Sequence, residues 1–244
     1  MARVDEYRIG TAGWSIPRQY AERFPADGTS LERYATCFNA AEINSSFHRP
    51  HRPATWGRWR ESVPADFRFS VKLPKEITHQ RKLIDAAEPL DRFMDQVQLL
   101  REKLAVLLVQ LPPKLSFDAK IARAFFAALA ERSSVQVACE PRHLSWFDAE
   151  ADQLLAKLNI ARVAADPALC PAAAVADRWS PLAYFRLHGS PKMYRSPYGD
   201  RVHGYAEELR RALDAGREAW CIFDYTASSA AMGDALALMD ELSS

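Results

Sequence analysis

Four carboxylates, two cations and a histidine stand at the ends of apolar runs in this chain, and those are the residues that could do chemistry. Eight such runs occur, at 7–13, 40–44, 67–72, 104–110, 135–140, 160–166, 182–188 and 219–224. The residues that stop them are Glu42 and Asn44, Lys72, Gln110, Glu140, Asp166, Arg186 and His188, and Asp224. A core strand has no structural need to end in a charge. Residues i and i+2 share a face of a strand, which groups Glu42 with Asn44, Ser70 with Lys72, Arg186 with His188, and Glu140 with Arg142. Turned toward a helix layer, these charges would be buried without compensation, so they face a lumen or its rim. A buried ion pair closing the core is the structural alternative for any one pair. Such pairs do not usually improve on apolar packing, and the whole ring therefore points to a ligand site with Glu42, Glu140 and Asp166 as candidate acid/base groups.

The elements that must position this ring alternate in type. Most runs are separated by a stretch of helical period, such as Leu31, Tyr34, Ala35 and Phe38, or Leu90, Phe93, Met94, Val97 and Leu100. Strands alternating with helices imply a parallel sheet, and eight units imply an α/β fold closed as a TIM-type (β/α)8 barrel. Such a barrel takes about 250 residues, and this chain has 244, so residues 1–244 are expected to form a single domain. The sixth helix is expected to be short or irregular, because residues 167–179 are rich in Ala and Pro. In a barrel the carboxyl ends of the strands carry the active site, which is where the ring falls.

Composition narrows the function classes. Lys plus Arg total 32 against 31 Asp plus Glu, a net charge of +1. That leaves no basic coat or acidic tail, and any attraction to anions must be local. The N-terminus lacks a signal-peptide core and no run reaches the roughly 18 apolar residues of a membrane span, so the expectation is a cytoplasmic protein with no membrane partner. Cys37, Cys139, Cys170 and Cys221 form no CxxC and sit among apolar residues, as buried reduced thiols do. Dinucleotide, P-loop, HExxH and GxSxG motifs are all missing. The sequence identifies no cofactor.

Loops add candidates. Residues 188–201, HGSPKMYRSPYGDR, suit a semi-rigid lid, with Tyr194 and Tyr198 either stacking on a ligand ring or anchoring the loop. Thr226 or Ser228 is placed to cap the last helix. Three classes stay open. In the first, an enzyme holds a phosphorylated, sugar-like or nucleotide anion with Lys72, Arg142 and Arg186, and works through Glu42 and Glu140. In the second, Glu42, Glu140, Asp166, His188 and Asp224 ligate a divalent metal, a reading weakened by the neighbouring cations, so no residue is assigned to a metal. The third is a non-catalytic nucleic-acid module using Lys192, Tyr194, Arg195, Tyr198 and Arg201.

Several strings recur in order: IGTAGW, AEINSSFHRP, FRFSVKLPKEITH, LLVQLPP, ACEPRHLSWF, ADP and YFRLHG. With these the chain resembles the YecE-like family, known as domain of unknown function 72. The resemblance implies a TIM barrel whose shared polar residues gather at the carboxyl ends of the strands, and it implies no activity. It marks Glu42, Asn44, Phe47, Lys72, His79, Gln110, Glu140, Arg142, His143, Trp146, Asp166, Arg186, His188 and Tyr198. Asp224 departs from it, since the family usually carries an amide there. Phe47, His79, His143 and Trp146 are expected as supports, because a loop histidine more often orients a neighbour or caps a helix.

Overall fold

The computed structural model describes residues 6–224 and 230–243. The apolar runs form β1 (Tyr7–Thr11), β2 (Ala40–Ile43), β3 (Arg68–Lys72), β4 (Leu104–Gln110), β5 (Gln136–Glu140), β6 (Ala161–Arg162), β7 (Ala164–Asp166), β8 (Leu182–Leu187) and β9 (Glu218–Phe223). All pair in parallel, in the orders β1-β9-β8-β7 and β2-β3-β4-β5-β6. The run expected at 160–166 is thus two strands. It follows β5 through Arg162, then crosses to β8 from Ala164, with Val163 as the pivot. The opposite seam is held by a single bridge between Ala12 and Glu42. Gly10 allows that approach: a Cβ there would lie 2.0 Å from the Ala40 carbonyl oxygen. The architecture is an α/β barrel of TIM type.

Helices α1 (Ser30–Tyr34), α2 (Pro53–Glu61), α3 (Ala87–Val97), α4 (Ala119–Ala130), α5 (Ala149–Lys157), α6 (Val202–Asp214) and α7 (Ala230–Ser243) cover the wall. Between β7 and β8 only a 3-10 turn, Pro171–Ala174, stands where a sixth helix was expected to be weak. The stripe ending at Phe38 makes a shorter helix than its spacing predicts, since α1 stops at Tyr34 and its C-cap Ala35. Thr226 and Ser228 lie outside the described residues.

Strand alternation sorts the core into two compartments. Phe67, Phe69, Val71, Val109, Cys139, Phe185 and Leu187 pack outward among the helices. Inside the barrel sit Ala40, Val106, Leu108, Ala138, Tyr184, Trp220 and Ile222. Glu42, Lys72, Gln110, Glu140 and Arg186 continue this inner series toward the carboxyl end. Cys139 and Cys221 are buried, whereas Cys37 and Cys170 are only half-buried, and all four thiols are free. No helix among the described residues is long and apolar enough to cross a membrane.

Candidate active site

At the centre of the carboxyl end lies Arg186, with no exposed surface. Its Nε and Nη2 donate to Glu42 Oε2 and Oε1 at 2.9 and 2.8 Å, and its Nη1 donates to Glu140 Oε2 at 2.9 Å. Nη2 also contacts Asp224 Oδ2. The hydroxyl of Tyr184, two residues before Arg186 on the same face, is hydrogen-bonded with Ser70 Oγ at 2.9 Å and with Glu42 Oε2 at 3.3 Å. Fork geometry and burial make this network rigid. They also make it unreachable: Glu42 and Arg186 are sealed below the mouth, so the expectation that Arg186 holds a ligand anion and Glu42 acts on it does not fit their geometry.

Above this platform the groups open toward the cavity. Glu140 Oε1 accepts from Gln110 Nε2 at 2.9 Å and lies 3.3 Å from His188 Nε2. Burial alone would raise the Glu140 carboxyl, but Arg186, His188 and Arg142 hold it well below the usual carboxylate range. It is therefore a fixed negative charge and a poor proton donor. His188 is the reverse. Burial lowers its affinity for a proton, yet Glu140 and Asp224 outweigh that and raise it above the ordinary imidazole value. Its Nδ1 lies 3.2 Å from Asp224 Oδ2 but is not aligned for a hydrogen bond.

Two cations make no hydrogen bond to a carboxylate among the described residues. Arg142 Nε is 3.6 Å from Glu140 Oε1, beyond hydrogen-bond length, and its Nη2 lies 3.8 Å from the Met193 sulfur. Among the described residues Lys72 Nζ has no ion-pair partner and sits 4.2 Å over the Phe47 ring. Burial and Arg186 lower its proton affinity. His79 packs edge-on against Phe47 and contacts Thr78 Oγ1 at 2.8 Å. Burial and nearby Lys72 push it down to about 4, so it is neutral at physiological pH. Asn44 Oδ1 is buried with no hydrogen bond among the described residues.

Other predicted residues are placed elsewhere. Asp166 falls one position out of phase with Ala165, so its carboxylate turns to the helix side and accepts from Tyr205 on α6. It is not part of the ring. Tyr198 is buried against Tyr205 and Phe223, accepts from the Gly189 N–H at 3.2 Å and donates to the Asp166 carbonyl at 3.1 Å. It anchors the loop, and Arg201 stacks on it, so the platform of Lys192, Tyr194, Arg195, Tyr198 and Arg201 does not assemble as one exposed face. Tyr194 does reach the mouth, its ring centroid 5.6 Å from that of His188 in an edge-on arrangement. His143 accepts from Ser145 N–H and caps the turn Leu144–Phe147. Trp146 is a core anchor that donates to the Leu115 carbonyl at 3.0 Å.

A cavity of about 440 Å³ adjoins the mouth, with Glu140, Arg142 and His188 on its polar side and Leu169 and Met193 among its apolar walls. Spacing gave no signal for those two. Among the described residues no group of three or more His, Cys, Asp or Glu side chains is arranged for a metal ion. The carboxylates that could have formed one converge on the Arg186 guanidinium instead, and Asp166 faces away. The donor set thus does not fit the metal-dependent alternative.

The chain is 34% identical over 104 residues to the UPF0759 protein YecE of Escherichia coli K12, a match covering 43% of this chain and 37% of that protein. A DUF72 family structure from Enterococcus faecalis V583 superposes with a TM-score of 0.79 at 18% identity, covering 97% of this chain and 95% of the other. A xylose isomerase-like TIM barrel protein from Mycobacterium smegmatis superposes with a TM-score of 0.53 at 10% identity, over 99% and 97% of the two chains. These likenesses show the fold. With its carboxyl-end ring built on the strings IGTAGW to YFRLHG, and residues 8–244 matching the family described as protein of unknown function DUF72, this chain belongs to that family.

Proposed function

We propose that the protein is an enzyme that takes a small anionic ligand at the barrel mouth and acts on it by proton transfer. Arg142 is the anchor, Lys72 the second cation, and His188 the proton carrier. Arg142 carries the reading: its guanidinium borders the cavity with five N–H donors and no carboxylate within hydrogen-bond distance. Its one carboxylate neighbour, Glu140, is shared with Arg186, Gln110 and His188, so the Arg142 cation on this half-enclosed cavity still favours an anion. The buried Lys72 ammonium, lacking a counter-ion among the described residues, favours one for the same reason.

Glu140 and Asp224 flank His188, orient its ring and stabilise the imidazolium, while Arg186 fixes both carboxylates from below. His188, which lines the cavity, then delivers a proton to the bound ligand or accepts one from it. The acid/base role passes from the sealed Glu42 to His188. Native mass spectrometry of freshly purified wild type and Arg142→Met tests the reading. A small anionic adduct retained by the wild type and lost from the variant is expected. An adduct equally retained, or a copurifying nucleic acid whose binding falls steeply with salt, would overturn it.

A further inference from the structure

The mouth cavity is polar on one side only, and that asymmetry bears on what the ligand is. Pro141, Pro167, Ala168, Leu169, Ala173 and Met193 supply the carbon surface of its wall. Leu169 and Met193 keep 48% and 39% of their surface exposed, and neighbouring Tyr194 keeps 39%. Large apolar side chains held open around a cavity are a surface awaiting cover, and methionine adapts to whatever shape provides it.

The polar side has little hydrogen-bonding capacity to spare. Both Glu140 oxygens already accept, Oε1 from Gln110 and Oε2 from Arg186. His188 Nε2 is turned to Glu140. Of the polar groups lining this cavity, the Arg142 guanidinium is what is left for a ligand. A polyhydroxylated ligand would bury most of its hydroxyls against carbon, with no partner to replace the water it gave up.

We infer that the substrate is an amphipathic anion, a single carboxylate or phosphate head on an apolar body such as a phenyl ring or short alkyl chain. The head lies on Arg142 and the body lies against Leu169 and Met193. This inference rests on the anion-anchoring reading above and narrows it: the polyol and sugar phosphates that the charge pattern alone would admit are disfavoured.

Calorimetric titration at fixed ionic strength separates the parts, with 3-phenylpropionate, gluconate, benzyl phosphate, glucose 6-phosphate and 3-phenylpropan-1-ol as probes. Each phenyl anion should bind at least about tenfold more tightly than the polyol bearing the same head, a ratio that burial of one aromatic ring readily supplies. The better of the two phenyl anions identifies the head group. A Leu169→Ser variant, altered at an exposed side chain, should lose part of that preference while inorganic phosphate binds as before. Gluconate or glucose 6-phosphate binding as tightly as its phenyl counterpart overturns the inference and leaves the anion reading standing. Phenylpropanol binding as tightly as phenylpropionate overturns the anion reading while the apolar wall stands. Binding of none of the five overturns the inference.

Discussion

Arg186 and Glu42 face each other inside the barrel with neither side chain exposed, joined by two parallel hydrogen bonds of 2.9 and 2.8 Å. The pair comes from strands β8 and β2, far apart in sequence and in different sheets, so it ties the two sheets together across the lumen. Its role is to hold Glu140 and Asp224 in place.

Replacing Glu42 by Gln removes the charge and breaks the two-bond pairing with the guanidinium, leaving Arg186 only Glu140 and Asp224. Breaking a buried pair costs about 3–5 kcal/mol, which for a chain of this size is a fall in Tm of roughly 6–20 °C. Thermal unfolding of Glu42→Gln checks this. A Tm within a degree or two of wild type would show that the platform is not structural.

Glu140→Gln should behave differently. Arg186 keeps Glu42 and Asp224, so the stability loss is smaller than for Glu42→Gln, while His188 loses the partner that most raises its proton affinity. The His188 imidazole pKa, followed by NMR titration, should move down. An unchanged value would mean that Asp224 alone sets the histidine.

The two site histidines pull stability in opposite directions with pH. His188, raised in the folded state, contributes stability that is full below the ordinary value of 6.5 and is lost as pH rises through the folded value. His79, pushed down to about 4, binds its proton less well folded than unfolded. Its contribution is full above 6.5 and is lost as pH falls toward 4. Denaturation across this range should find that His188→Gln flattens the alkaline limb and His79→Asn flattens part of the acid limb. If each variant altered the other's limb, the assignment of the two environments would be reversed.

Asp166→Asn should leave ligand retention nearly unchanged, because its carboxylate faces Tyr205 and lies outside the mouth. Its stability loss should be smaller than that of Tyr205→Phe, since an Asn oxygen can still accept from Tyr205 whereas Phe removes the donor. Loss of binding in Asp166→Asn with Tyr205→Phe unaffected would return Asp166 to the site.

Period-2 alternation was enough to place Glu42, Lys72, Gln110, Glu140, Arg186 and His188 on the inner face, because strand geometry is local and uniform. Asp166 was misplaced by the rule that a charge ending a strand faces the lumen: Ala161, Val163 and Ala165 keep the inner phase through the change of partner at Val163, so the same alternation turns Asp166 outward. Nor could spacing tell a sealed cation from an open one. Arg186 and Arg142 both stand at or just past a strand end in the sequence, and their difference in burial appears only in the fold. Leu169 and Met193 carried no signal, since loop residues acquire a role from the surface they meet.

The central claim, that Arg142 is held for a ligand and not for the fold, is tested most directly by titrating inorganic phosphate into wild type, Arg142→Met and Arg195→Met in parallel by calorimetry and thermal unfolding. With no close hydrogen bond to a carboxylate, Arg142 should contribute less than about 1 kcal/mol to stability, so the Arg142→Met Tm should stay near wild type. Phosphate affinity should fall at least about tenfold in Arg142→Met and stay unchanged in Arg195→Met. A large fall in Tm with phosphate binding preserved would contradict the account.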